Sequence, residues 1–255
     1  MDQNKWFMAE GAKVCLEEKA KPGISLELSK FSLTSNISRW NRRAADDSNG
    51  YEADVKNFKW VAPAEMARML SPYLHEGQEV LDLGCGSGLV GKAFEELGQV
   101  NNLIFDGVDF SANMLVKAKQ RGYRNLVCAN LSQEDLASAV WDDLGTEKKY
   151  STLVSVGVYG DFLNPVDLEY AFNLADKHSV VAVAGREAIH PFIPSVFKIF
   201  GFEVVHSEKG VAHYEPDSSN CVKNPEAFFT SLLGSGSLLN PEQVGVNYSY
   251  FIGKR

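Results

Sequence analysis

Val80-Leu81-Asp82-Leu83-Gly84-Cys85-Gly86-Ser87-Gly88 runs from an apolar stretch through an acid into three glycines on alternate positions. Val80 to Leu83 reads as a buried strand, and Leu89 to Leu97 reads as a helix with small residues facing inward. The glycines therefore occupy a strand-to-helix turn. Without a Cβ, the backbone of such a turn approaches a ligand closely, and the free N–H groups at the helix start point at whatever binds there. That is the geometry of a nucleotide-type cofactor site.

The same physics serves several cofactors. Gly86-Ser87-Gly88-Leu89-Val90-Gly91 satisfies the G-x-G-x-x-G dinucleotide pattern, and Asp109 follows about twenty residues later, as that fingerprint asks. An NAD(P)-dependent oxidoreductase is the reading it would support. Asp82 argues against it: a carboxylate two residues before the first glycine repels a pyrophosphate, whereas it suits a ligand with an ammonium and a sulfonium. S-adenosylmethionine carries both. A Walker-type loop is excluded, because no Gly-Lys-Ser/Thr follows the glycines.

With these residues the chain resembles the class I S-adenosylmethionine-dependent methyltransferases, whose first motif reads acid-x-Gly-x-Gly-x-Gly at this junction. Phe105-Asp106-Gly107-Val108-Asp109-Phe110-Ser111-Ala112-Asn113-Met114-Leu115 is similar to their second strand and following helix, which makes Asp109 the acid that takes both ribose hydroxyls. Leu126-Val127-Cys128-Ala129-Asn130-Leu131 resembles the third strand and its adenine-flanking turn, with Asn130 where the family more often has Asp. Tyr150-Ser151-Thr152-Leu153-Val154-Ser155-Val156-Gly157-Val158-Tyr159 resembles the fourth. The resemblance implies a doubly wound, mostly parallel seven-stranded sheet with helices on both faces and an antiparallel last strand. It also implies a cofactor-binding set of Asp82, Gly84, Cys85 (through its backbone), Gly86, Gly88, Asp109, Phe110, Met114, Asn130, Leu131 and Ser155. Ser155-Val156-Gly157-Val158, with the upstream Trp40, Tyr51 and Val61-Ala62-Pro63-Ala64-Glu65, is similar to the methyltransferase-like proteins named after the Williams-Beuren syndrome chromosome region.

Composition narrows the class. The chain has 255 residues, 45% of them hydrophobic, enough for one large α/β domain with a full core. A net charge of -8 and the lack of a Lys/Arg stripe disfavour nucleic acid and favour a small-molecule acceptor. Cys15, Cys85, Cys128 and Cys221 form no C-x-x-C pair, which points to a reducing compartment and no metal. No basic and apolar leader opens the sequence, and no apolar run is long enough for a bilayer, so a cytoplasmic monomer or homodimer is expected. Asp2, Glu10, Glu17 and Glu18 contradict the acid-poor composition of a mitochondrial presequence.

Residues 1–50 read as a helical and irregular arm, broken near Pro22-Gly23 and at Asp46-Asp47-Ser48-Asn49-Gly50. Residues 51–255 read as a single domain, with an acceptor-site cap around 187–240. In the resembled family the arm folds over the cofactor, and Trp40, Arg43 and Tyr51 are the residues expected nearest the ligand; the alternative is that the aromatics merely anchor the arm. A helix from about Pro63 to Tyr73 carries Met66, Met69 and Leu70 on its apolar face. Strands at Glu79 to Leu83, Ile104 to Asp109, Asn125 to Ala129, Ser151 to Val156 and Val180 to Ala184 alternate with helices or, after the third, with an acidic segment. The fourth and fifth strands flank a helix near Val166 to Ala175, and a helix from Ser195 to Phe200 leads to a strand from Phe202 to His206. The last strand, Val246 to Ile252, is expected to close the sheet. Such alternation calls for a parallel sheet covered on both faces.

The chemistry implied is in-line displacement at the sulfonium methyl. Charge on sulfur disperses as the neutral thioether leaves, so the protein contributes mainly by holding donor and acceptor close and aligned. If the acceptor is a hydroxyl, a base helps remove its proton, and His190, His213 and Asp161 are the candidates. No Asn-Pro-Pro-Tyr or Asp-Pro-Pro-Tyr tetrapeptide follows the fourth strand, which disfavours nucleobase and glutamine amino groups; oxygen is slightly favoured among the rest. A third reading, from outside the enzymes, is a binding protein that keeps the cofactor pocket without turnover. Replacing Asp109 is expected to cost binding and leave the fold intact.

Overall fold

The structure, a computed structural model, describes residues 33–46, 50–57, 60–159, 163, 165–186, 192–212 and 247–255. Helices α1 (Leu33–Ala45), α2 (Tyr51–Asn57) and α3 (Ala62–Leu70) come first, α3 running on into a 3₁₀ turn at Ser71–Tyr73. Then follow β1 (Glu79–Leu83), α4 (Leu89–Leu97), β2 (Ile104–Asp109), α5 (Ala112–Gln120), β3 (Leu126–Cys128), α6 (Leu136–Leu144) and β4 (Tyr150–Val156). The remainder is α7 (Leu168–Phe172), β5 (Ala175–Arg186), α8 (Ile193–Ile199), β6 (Glu203–Ala212) and β7 (Asn247–Lys254).

The strands form one seven-stranded sheet in the order β3-β2-β1-β4-β5-β7-β6. β1 to β5 are parallel, and β7 is antiparallel to both of its neighbours. The chain winds outward from β1 to β3 and then returns to place β4 on the other side of β1. A crevice opens at such a reversal, beyond the carboxyl ends of the strands.

Side chains alternate across the pleat, so each strand feeds two cores. Leu81, Leu83, Val108, Leu153 and Val181 face one side, under α6, α7 and α8; Val80, Phe105, Val154 and Ala182 face the other, under α3, α4 and α5. Each fully buried Leu or Val contributes about 2 kcal/mol, and Leu153→Ala, at the centre of the sheet, would cost roughly 3 kcal/mol.

The structure differs from the sequence reading in several places, among them β6, which runs on to Ala212 rather than ending at His206. The acidic segment contains α6, whose Leu136, Ala137 and Val140 form a buried stripe between acidic turns. The helix expected near Val166 to Ala175 is the shorter α7, after a 3₁₀ turn at Pro165–Asp167, because Leu174 O accepts from Tyr150 N and draws the chain into the sheet. β5 accordingly starts at Ala175, with a register shift opposite Tyr150 and Thr152. β7 is antiparallel, as expected, and inserts between β5 and β6, pairing Ala184 with Tyr250 on one side and His206 with Ile252 on the other. Among the described residues no helix is long and apolar enough to cross a membrane.

Candidate active site

The glycine turn hangs from the end of β2. Gly84 N and Cys85 N both donate to Val108 O, at 2.7 and 3.1 Å, and Gly88 N donates to Cys85 O at 2.8 Å before α4 begins. The three glycines have different jobs. A Cβ on Gly84 would lie 2.4 Å from Val158 Cγ2, and one on Gly88 would lie 2.9 Å from the Tyr123 ring and 3.1 Å from Ala118 Cα. On Gly86, at φ +51°, it would meet nothing within 4 Å. Gly86 alone of the three therefore faces open space, where a ligand can lie against bare backbone. Gly91, which completes the dinucleotide pattern, is small for another reason: a Cβ there would sit 2.7 Å from the Tyr123 ring.

Two buried carboxylates flank this turn. Asp82, on β1, is 1% exposed. Its Oδ2 accepts from the Tyr123 hydroxyl at 2.6 Å, and its Oδ1 has no hydrogen-bond partner among the described residues. Burial pushes its pKa up to about 7, the Tyr123 hydrogen bond opposing the rise and the Asp109 charge adding to it. Asp109, the last residue of β2, accepts from Gly86 N through Oδ2 at 2.9 Å and from Ser111 N through Oδ1 at 2.8 Å. Burial raises it to about 6, against the pull of those two N–H groups. Among the described residues no cation bonds to either carboxylate, and each retains accepting capacity.

Helices α1 and α2 cover the crevice. Asn41 Oδ1 accepts from Ser111 Oγ at 2.7 Å and from Asn113 N at 3.2 Å, while Asn113 Nδ2 donates to Asn41 O, which seats α1 on the first turn of α5. Arg43 pairs with Asp54 and lies over the Trp40 ring; Trp40 meets Tyr51 edge-on at 5.6 Å, and Tyr51 meets Trp60 at 6.4 Å. Arg121 grips both carboxylate oxygens of Glu52 on α2, at 2.8 and 3.0 Å, and donates to Ser87 O at 2.6 Å, so the cover is tied to the glycine turn itself. The Tyr51 phenol is held well above its ordinary pKa by burial and by the charges of Asp109, Glu52 and Asp82, which sets it beside both crevice carboxylates.

Residues 80–178 match the family model described as a methyltransferase domain. Over this stretch the chain is similar to a methyltransferase domain. The ribosomal protein L11 methyltransferase of Thermosipho africanus is 39% identical over 74 residues, 29% of this chain and 27% of the relative. That of Dictyoglomus thermophilum is 33% identical over 87 residues, 34% and 26% respectively. The chain thus spans about a quarter of the curated relatives it matches. A chain from the Haloferax volcanii complex of the Trm112 methyltransferase activator superposes with a TM-score of 0.52 at 16% identity, over 84% of this chain and 96% of that one. This likeness shows the class I methyltransferase fold.

The crevice suits S-adenosylmethionine, the cofactor expected from the sequence. The orphaned Asp82 Oδ1 matches an ammonium, the remaining lone pairs of Asp109 match a ribose diol, and the space beside Gly86 admits the chain between them. Of the other residues expected at the cofactor, Met114 and Leu131 are buried and Phe110 is half-buried beside Asp109. Asn130 Oδ1 accepts from Ser132 N and Ser132 Oγ, which folds the turn after β3 on itself. Ser155 is turned inward, its hydroxyl donating to Leu83 O at 2.8 Å. Cys85 is buried, with its Sγ packed toward Gly107. The three base candidates, His190, His213 and Asp161, lie outside the described residues. Sequence reasoning passed over Tyr123, Arg121, Glu52 and Asn41. Only Ser111, an N-cap whose hydroxyl accepts from Met114 N, left a local signal there.

Proposed function

We propose that the protein is an S-adenosylmethionine-dependent methyltransferase of the cytoplasm that transfers a methyl group in line to a small-molecule acceptor, preferentially to oxygen. The observation that carries this reading is the buried, unpartnered Asp82 Oδ1 standing beside the open Gly86. When bound, the cofactor supplies an electrophilic methyl group on a cationic sulfur. Asp82 accepts from its ammonium and Asp109 from its ribose hydroxyls, while Tyr51 and Trp40 shield the crevice from water. Binding energy from these remote groups fixes the reacting atoms at short range, the main source of acceleration open to this chemistry.

A net charge of -8 supports a small acceptor over a nucleic acid. Trp40, Tyr51 and the Val61 to Glu65 stretch support placing the protein with the Williams-Beuren region methyltransferase-like group. For a hydroxyl acceptor, His190, His213 and Asp161 are the candidate bases, and the one that acts loses rate at low pH when intact and loses it at all pH values when replaced by Ala.

The test is incubation of the protein with methyl-labelled S-adenosylmethionine and a whole-cell extract. Label in the metabolite fraction with release of S-adenosylhomocysteine is expected. A protein acceptor is the second reading, favoured by the names of the two curated relatives, and label in the protein fraction would establish it. Binding without any release would leave a binding protein. Tight binding of NADH with none of S-adenosylmethionine would overturn the whole reading.

A further inference from the structure

Tyr123 follows α5 and is fully enclosed, yet its hydroxyl is engaged twice: it donates to Asp82 Oδ2 at 2.6 Å and accepts from Gly91 N, in the first turn of α4, at 3.0 Å. Its ring fills a slot that exists only because Gly88, Gly91 and Gly107 lack side chains; a Cβ at these positions would come within 2.9, 2.7 and 3.0 Å of it. A phenol in so tight a slot cannot turn away, so the oxygen it holds is fixed and the other oxygen of Asp82 is fixed with it. That other oxygen, Oδ1, is buried and has no hydrogen-bond partner among the described residues.

We propose that Tyr123 is a positioning residue for the cofactor's ammonium group: by occupying one oxygen of Asp82 it turns the other into the crevice as a ready acceptor. This rests on the methyltransferase reading. The ring and its three glycines alone would make Tyr123 a core residue. The hydroxyl adds function, because leucine or phenylalanine would fill the slot equally well but leave both carboxylate oxygens unheld. The titratable groups that face Asp82 are Tyr123, Asp109, Cys85 and Tyr51. Among them the Tyr123 hydroxyl is the one that donates to it and so favours its charged form.

Calorimetric titration of wild type and Tyr123→Phe with two probes tests this: S-adenosylhomocysteine, which carries the ammonium, and 5′-methylthioadenosine, which lacks it. In the variant, affinity for S-adenosylhomocysteine falls about tenfold, the loss of one hydrogen bond to a charged group. Affinity for methylthioadenosine stays within about twofold on the same grounds. The gap widens at pH 6.5 and narrows at pH 8.5, because a carboxylate deprived of its donor protonates at higher pH. Equal weakening of both probes, or no weakening of either, overturns the proposal. Should Tyr123→Phe fail to fold, the double variant Asp82→Asn/Tyr123→Phe carries the test: it matches Asp82→Asn in affinity for S-adenosylhomocysteine, and a further tenfold loss overturns the proposal. If wild type binds neither probe, the methyltransferase reading falls, and this inference with it. If wild type binds both equally, only this inference falls.

Discussion

Asp106 and Asp109 stand three residues apart on β2 and meet opposite surroundings. Asp106, at the amino end of the sheet, accepts from Arg124 Nε and Nη2, Lys148 Nζ, the Tyr150 hydroxyl and Asn125 N, at distances between 2.7 and 3.1 Å. Burial alone would raise its pKa, but the hydrogen bonds and charges of Arg124, Lys148 and Tyr150 outweigh burial and hold it below the usual carboxylate range. Asp109, at the carboxyl end, has two backbone N–H groups, and Asp82 beside it has one hydroxyl. The difference separates two uses of a buried charge. A saturated carboxylate cross-links strands and is spent on stability; an under-saturated one keeps its field for something still to arrive.

The sharpest way to break this contrast is Asp106→Ala. It removes an acceptor from Arg124, Lys148 and the Tyr150 hydroxyl, although both cations keep Glu79, and is expected to lower unfolding free energy by about 3 kcal/mol in denaturant titration while S-adenosylhomocysteine affinity stays put. A lost affinity at preserved stability would reverse the assignment. Asp109→Ala is expected to cost about 3 kcal/mol of S-adenosylhomocysteine binding by calorimetry. The fold is expected to stay intact, although Gly86 N and Ser111 N lose their acceptor, so stability falls by about 1 kcal/mol as well.

Asp82→Asn sharpens the contrast further. An amide accepts from Tyr123 as the carboxylate does, so the melting temperature holds or rises, whereas binding of the ammonium-bearing ligand weakens by about 2 kcal/mol. The smallest effect is on pH. The folded-state pKa values of Asp82 and Asp109, about 7 and about 6, lie above their unfolded values, so the folded state binds the extra protons and stability rises as pH falls from 8 toward 5. Asp106 has the opposite sign, and its contribution is lost as pH drops below the unfolded carboxylate value. Thermal scans should therefore peak near about pH 5. Saturating S-adenosylhomocysteine should flatten the upper limb, since its ammonium stabilises the ionised form. Its affinity should fall as pH drops through the range of Asp82.

The glycine turn and the first four strands were legible because their signals are local: an apolar run ends in an acid, and small residues repeat at fixed spacing. Asp82 and Asp109 could be singled out for the same reason. Tyr123 could not, since its slot is assembled from Gly88 and Gly91 at the start of α4 and Gly107 on β2, and the first two also fit a dinucleotide pattern by coincidence. α6 escaped because Glu134, Asp135, Asp142 and Asp143 outweigh its short buried stripe. The insertion of β7 between β5 and β6 is a matter of long-range pairing, which periodicity within a strand does not encode.

The guanidinium of Arg121 touches the glycine turn with one hand and α2 with the other. Release of a molecule lodged beneath Tyr51 is expected to require that this double hold loosen. Residence time in the crevice is therefore expected to follow this half-buried ion pair and to shorten as ionic strength rises, which a stopped-flow measurement of ligand release would check.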